Sequence, residues 1–117
     1  MPGISRSSIQ NKLLSTLRPA ALSQLLPHLE PIELPKKKAL AHPGSRMSHA
    51  YFPETGMISV VVILDSGGPI EVGTIGREGM LGINHLLGGE TAFNRAIVQI
   101  AGSALRISAR TLRPQLN

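Results

Sequence analysis

The stretch Gly76-Arg-Glu-Gly-Met-Leu-Gly-Ile-Asn-His-Leu-Leu-Gly-Gly89 sets five glycines around a short apolar run, directly after a strand-like segment. Residues of this kind suit anion chemistry. Glycines leave backbone N–H groups bare, a converging set of them cradles a phosphate or carboxylate, and a helix starting behind them adds partial positive charge. The same glycines equally serve a tight structural turn, in which Met80, Leu81, Ile83, Leu86 and Leu87 plug the end of a barrel. On these residues alone the two readings weigh the same.

The histidines His28, His42, His49 and His85 are the other candidates, as metal ligands. Their spacing follows no ligand motif, and the H-x-H with downstream Glu of a metal-binding cupin barrel is missing, so positions on the surface or at the core edge are preferred. A small metal-dependent cupin-like enzyme, with metal near His42, His49 or His85, stays as an alternative. No G-x-S-x-G elbow, S-x-x-K or paired-carboxylate spacing occurs, so no catalytic residue is assigned. With no cysteine in the chain, disulfides, thiolate metal sites, iron–sulfur clusters and cysteine nucleophiles are excluded.

These residues must be positioned by short elements. Residues 1–8 read as a flexible start. Apolar residues at 9, 13, 14 and 17 predict a helix over Ile9–Leu17, and Leu22, Leu25, Leu26 and Leu29 predict a second over Ala20–Leu29, with Pro19 in its first turn and Pro27 loosening its last. After Glu30 the period becomes that of strands. Ile32 and Leu34 alternate with polar or proline positions, Ala39–His42 resumes, and Ala50–Phe52 precedes a break at Pro53-Glu-Thr-Gly56. Met57–Leu64 is a β-branched run, Asp65–Gly68 a hairpin turn and Pro69–Ile75 a further strand. The glycine stretch then carries a brief helix around Met80–Leu87, Arg95–Ala101 and Ala104–Ile107 close the sheet, and Ser108 caps a last helix. Short strands joined by turns predict a mainly β sandwich or barrel with flanking short helices.

Composition agrees with a single folding unit over 9–117: a chain of 117 residues buries one core and is too short for two. Twelve glycines and nine prolines punctuate it with turns. The formal charge of +5 would suit an anionic partner, but the only basic run is Lys36-Lys37-Lys38, and Tyr51, Phe52 and Phe93 are the only aromatics for base stacking. A solvated turn is the preferred reading of the lysines. No apolar run spans a bilayer, so no membrane partner is expected and a cytoplasmic address is the default.

Helical entry, short strands, then a glycine turn inserted before the last strands resembles the cyclic-nucleotide-binding domain of Crp/Fnr-type bacterial transcription regulators. The likeness is carried by LLPHLEPIELP (25–35), HAYFPETGMISVVV (49–62), EVGTIGREGMLGINHLLGG (71–89) and RAIVQIAGSALRI (95–107). It implies a β-roll, a double-stranded β-helix or jelly roll, in which the glycine turn is a phosphate-binding cassette. In cyclic-nucleotide-binding members the cassette reads Gly-Glu-Leu, the Glu accepting from the ribose hydroxyl, and an Arg followed by Ser or Thr and Ala completes the phosphate contacts.

Carried over by position, Gly79-Met80-Leu81 stands at Gly-Glu-Leu, and Asn94, Arg95 and Ala96 stand at the Arg, Ser/Thr and Ala. Methionine accepts no such hydrogen bond, which removes about 1.5–3 kcal/mol of specific interaction. Glu78 is out of register. The Arg is displaced by one residue, which in a strand sends the side chain to the other face. The resemblance therefore implies a degenerate cassette made of Gly76, Glu78, Gly79, Met80, Leu81, Gly82, Asn94, Arg95 and Ala96. The segments His42–Ser45 and Tyr51–Pro53 are structural parts of the roll. The function implied is a non-enzymatic sensory domain of a Crp/Fnr-like regulator, responding to a small-molecule effector and needing no cofactor. A functional cAMP or cGMP receptor, using the Gly79–Gly82 amides and Arg95, is the alternative. In the family a long helix after the roll makes a homodimer and a helix-turn-helix domain binds DNA. The resemblance leads one to expect that this chain holds only the start of that helix and not the DNA-binding domain, so the full-length protein, not this chain alone, is expected to bind DNA.

Overall fold

The computed structural model describes residues 6–42, 44, 47–65, 67–82 and 94–116. The expected flexibility of residues 1–5, the helix beyond Gly82, His85, Gly88, Gly89 and Phe93, and Pro43 and Ser45 of the His42–Ser45 segment lie outside the described residues. Arg6–Ser8, within the segment read as a flexible start, forms a 3-10 turn.

The entry helices are shorter than their apolar period suggests. Helix α1 is only Lys12–Ser15, because Asn11 adopts an extended backbone (φ −64°, ψ 122°) and its side chain accepts the Leu14 N–H at 3.0 Å. At the far end the Ser15 and Thr16 hydroxyls donate to the carbonyls of Lys12 and Leu13. Arg18 is extended, as the residue before a proline tends to be, and Pro19 opens α2 (Pro19–Leu25). Pro27 offers no N–H, and the chain tightens into a 3-10 turn at Leu26–His28.

Strands β1 (Glu30–Leu34), β2 (Ala39–Ala41), β3 (His49–Ile63), β4 (Pro69–Ile75) and β5 (Arg95–Ser108) form one antiparallel sheet in the order β1-β5-β3-β4, with β2 also on β5. The mainly β reading with flanking short helices holds. Two expectations are corrected: Pro53-Glu-Thr-Gly56 does not end a strand, and the two closing strands are one. Both runs continue through a bend where the β3–β5 register shifts repeatedly between Pro53 and Ile58. Gly56 sits there at φ +82°, and a Cβ on it would fall 2.5 Å from the Ile100 carbonyl oxygen. A Cβ on Gly102, across the ladder, would fall 2.3 Å from that of Thr55. Only two glycines let the backbones cross this closely.

The hairpin at Asp65–Gly68 forms as expected, with Leu64 and Gly68 joined by a 3.0 Å backbone bond. Lys36–Lys38 is the exposed β1–β2 turn, with Lys37 at φ +74° and its N–H donating to the Val98 carbonyl at 2.8 Å. Alternation along the strands sorts the core into two clusters. Ala50, Phe52, Leu105 and Ile107 meet Leu14, Leu22, Leu25 and Leu29 from the helices, together with Ala109 and Leu112 of the C-terminal helix α3 (Ala109–Leu112). Leu34, Ala41, Ile58, Leu81, Ala96, Val98 and Ala104 fill the interior of the roll, with Tyr51 packed at its edge. Ser108 precedes α3 as its cap residue, but its side chain makes no capping hydrogen bond.

Candidate phosphate cassette

Strand β4 delivers the chain into a turn, Gly76-Arg77-Glu78-Gly79, closed by the Gly79 N–H on the Gly76 carbonyl at 3.1 Å. The Glu78 carboxylate folds back over Gly76, where an added Cβ would meet its Oε2 at 3.2 Å. The turn is stitched to the N-terminal segment. The Lys12 N–H donates to the Arg77 carbonyl at 2.6 Å, and Asn11 Nδ2 donates to the carbonyls of Gly79 at 2.9 Å and Pro53 at 2.7 Å. Glu54, in the bend of β3, accepts the N–H groups of Gln10 and Asn11 on Oε2 at 2.7 and 2.6 Å. Asn11 is fully buried, and its side chain donates two bonds and accepts one. Neither role is legible in the sequence. The signal available was the cap preference of an Asn before Lys-Leu-Leu-Ser.

Beyond the turn the chain steps across the end of the roll. Met80 packs into the cluster under the helices, while Leu81 enters the roll interior. Leu81 forms a bridge with Tyr51, donating to its carbonyl at 2.9 Å and accepting its N–H at 3.0 Å. Gly82 follows at φ +112°, where a Cβ would lie 3.3 Å from Ala50 Cα. The helix expected to begin around Met80 does not begin there, because the Leu81 N–H and C=O are both committed to β3. The amides of Gly79 and Leu81 are thus spent inside the fold, and no helix N-terminus faces out at Met80.

On the closing side, Asn94 is half-buried just before β5 and Ala96 is buried against the roll interior. Arg95 pairs with Val61 and lies with Ile97 on the face opposite Ala96 and Val98. Its Nε is buried without a hydrogen-bond partner among the described residues. The structure therefore brings Gly76, Glu78 and Gly79 together in one turn, divides Met80 and Leu81 between two cores, and sets Arg95 on the outer side of its strand. A groove of about 320 Å3 opens beside the turn, lined by Glu54, Thr55, Gly56, Met57, Gly76, Arg77 and Glu78. Its two carboxylates against one guanidinium make it a poor seat for an anion.

The histidines are dispersed: His28 and His42 are exposed and His49 is half-buried. Among the described residues no group of three or more His, Cys, Asp or Glu side chains could hold a metal ion, and no helix is long and apolar enough to cross a membrane.

The family model for the cyclic nucleotide-binding domain matches residues 31–117. Among solved structures, a cyclic nucleotide-binding-like protein from Brucella abortus is 25% identical, with 89% of each chain covered and a TM-score of 0.71. The sensor domain of the transcriptional regulator DNR from Pseudomonas aeruginosa is 16% identical over 90% of this chain and 71% of that one, with a TM-score of 0.75. The regulatory subunit of a cAMP-independent protein kinase A from Trypanosoma brucei is 18% identical at a TM-score of 0.82 over 95% of this chain, which spans 43% of that subunit. No curated protein sequence matches.

Proposed function

Because the chain belongs to the cyclic nucleotide-binding domain family, we propose that it is the regulatory β-roll of a Crp/Fnr-like transcription regulator whose cyclic-nucleotide pocket has lost its function. One observation carries this reading. Met80, standing where the family's ribose-binding Glu would be, turns into the apolar cluster under α1 and α2. No carboxylate is presented to a ribose hydroxyl at that register, and Glu78 is folded over its own turn. The position of Arg95 on the outer face of β5 and the internal use of the Gly79 and Leu81 amides support it further.

The role that fits is regulatory and non-enzymatic, in the cytoplasm. An effector or partner that prefers one seating of the roll against α3 would shift the population of a longer, dimeric, DNA-binding protein. The placement of Ala109 and Leu112 in the same cluster as the entry helices supports α3 as the element that carries the change. Likeness to the sensor domain of a bacterial transcriptional regulator supports the regulatory class.

A second reading, a working cAMP or cGMP receptor, is favoured by one observation, the buried Arg95 Nε that has no hydrogen-bond partner among the described residues. Thermal melting separates the two. Ligand at about 100 times its Kd stabilises a native state by about 2.7 kcal/mol, a shift of several degrees. The proposal predicts unchanged melting in cAMP or cGMP at about 0.1 mM; a rise of several degrees, absent in Arg95→Ala, supports the receptor.

A further inference from the structure

A polar cluster that the cassette does not use lies where the sheet meets α3. The register β1–β5–β3 sets Glu30, Arg106 and Tyr51 in one row across three strands, and His49 lies opposite Ser108 at the end of β3. Arg106 Nε donates to Glu30 Oε1 at 2.5 Å. The His49 ring is half-buried, with its Nδ1 2.8 Å from Ser48 Oγ and its centroid 6.4 Å from that of Tyr51. Among the described residues, the charged and titratable groups around the imidazole are Arg106 from β5, Glu30 from β1 and Tyr51 from its own strand.

His49 also stands at two junctions of the backbone. On one side, the carbonyl of its neighbour Ser48 accepts the Ala109 N–H at 2.9 Å, which fixes the first residue of α3 to the start of β3. On the other, a Cβ on Gly82 would lie 3.5 Å from the His49 carbonyl oxygen, so the end of the glycine turn rests on this residue.

We propose that His49 is a proton-sensitive switch that sets how α3 is seated against the roll. Neutral, the imidazole sits beside Arg106 while Glu30 stays on the guanidinium. Protonated, it repels Arg106 and attracts Glu30, so the row Glu30–Arg106–Tyr51 rearranges and the Ser48–Ala109 tie is loosened. Burial, and then the Arg106 charge, hold the ring's pKa below its ordinary value, with Glu30 opposing them. The switch therefore stays neutral at neutral pH and responds to acidification. It operates whether or not the cassette holds a nucleotide.

Proton and nitrogen NMR of the chain, titrated downward from neutral pH, tests this. The His49 ring and the Ala109 amide are expected to shift with one shared midpoint below that of a free imidazole, and the Ala109 shift is expected to vanish in His49→Gln. Glu30→Gln should lower the His49 midpoint and Arg106→Gln should raise it. An Ala109 amide that does not titrate, or that titrates unchanged in His49→Gln, overturns the proposal. So does a midpoint that moves in neither Glu30→Gln nor Arg106→Gln.

Discussion

Replacing Asn11 by Ala removes three things at once. The α1 cap is lost, at about 1 kcal/mol. The carbonyls of Pro53 and Gly79 lose the Nδ2 donor, and each buried acceptor left unsatisfied costs about 1–3 kcal/mol. The three effects share one side chain and do not add in full, so about 3 kcal/mol is expected, against a total of about 5–15 kcal/mol for a domain. At about 4 °C per kcal/mol for a chain of this size, melting falls by about 12 °C. Asn11→Asp sharpens the test. Aspartate caps a helix as well as asparagine, yet it has no proton to donate and would hold a charge against two carbonyl oxygens, so it should be at least as destabilising as Ala. Urea denaturation followed by circular dichroism reads both variants by linear extrapolation. A loss under about 1 kcal/mol in Asn11→Ala, or an Asn11→Asp as stable as the wild type, would refute the view that Asn11 pins the glycine turn by donation.

Gly102→Ala should cost more than about 3 kcal/mol, because the new Cβ meets the Thr55 backbone at 2.3 Å with nothing flexible to yield; loss of the cooperative thermal transition checks it. Met80→Glu supplies the residue type that the proposed register puts at this position but should not create cyclic-nucleotide binding, since Met80 packs against the apolar cluster under the helices. It should cost about 2 kcal/mol at neutral pH. Burial would push its carboxyl up, so the part of the loss due to ionisation is absent below the unfolded-state value near pH 4 and grows as pH rises through the folded-state value, which denaturation at several pH values measures. For His49 the folded-state pKa is lowered, so its contribution is fully present above about pH 6.5 and is lost as pH falls through the folded-state value. Melting temperature against pH should show that fall in the wild type and be flatter in His49→Gln.

Much of the frame could be read from local pattern. The Asp65–Gly68 hairpin, the strands flanking it and the turn nature of Lys36–Lys38 follow from turn chemistry and β-branched runs, which act over a few residues. The continuity of β3 and β5 could not be read that way. Pro53 and Gly56 look like a strand break, and only the close backbone crossing at Gly102, some forty-six residues after Gly56, turns the break into a bend. The same holds for the cassette. Its Gly76–Gly79 turn is visible in the glycine spacing. That Met80 would face the helices and Leu81 the roll depends on a backbone bridge to Tyr51 that no local signal announces. Asn11 and Glu54 are hidden for a related reason: local sequence offers at most a helix cap at Asn11, while the partners that tie the N-terminal segment to the turn and to β3 lie more than forty residues away.

The loss of the cyclic-nucleotide site is the claim on which the account turns, and isothermal titration calorimetry of the wild type and Arg95→Ala with cAMP and cGMP tests it most directly. No saturable heat is expected for either nucleotide, with any Kd weaker than about 1 mM, and the same result in the variant. Saturable micromolar binding in the wild type, abolished in Arg95→Ala, would contradict it.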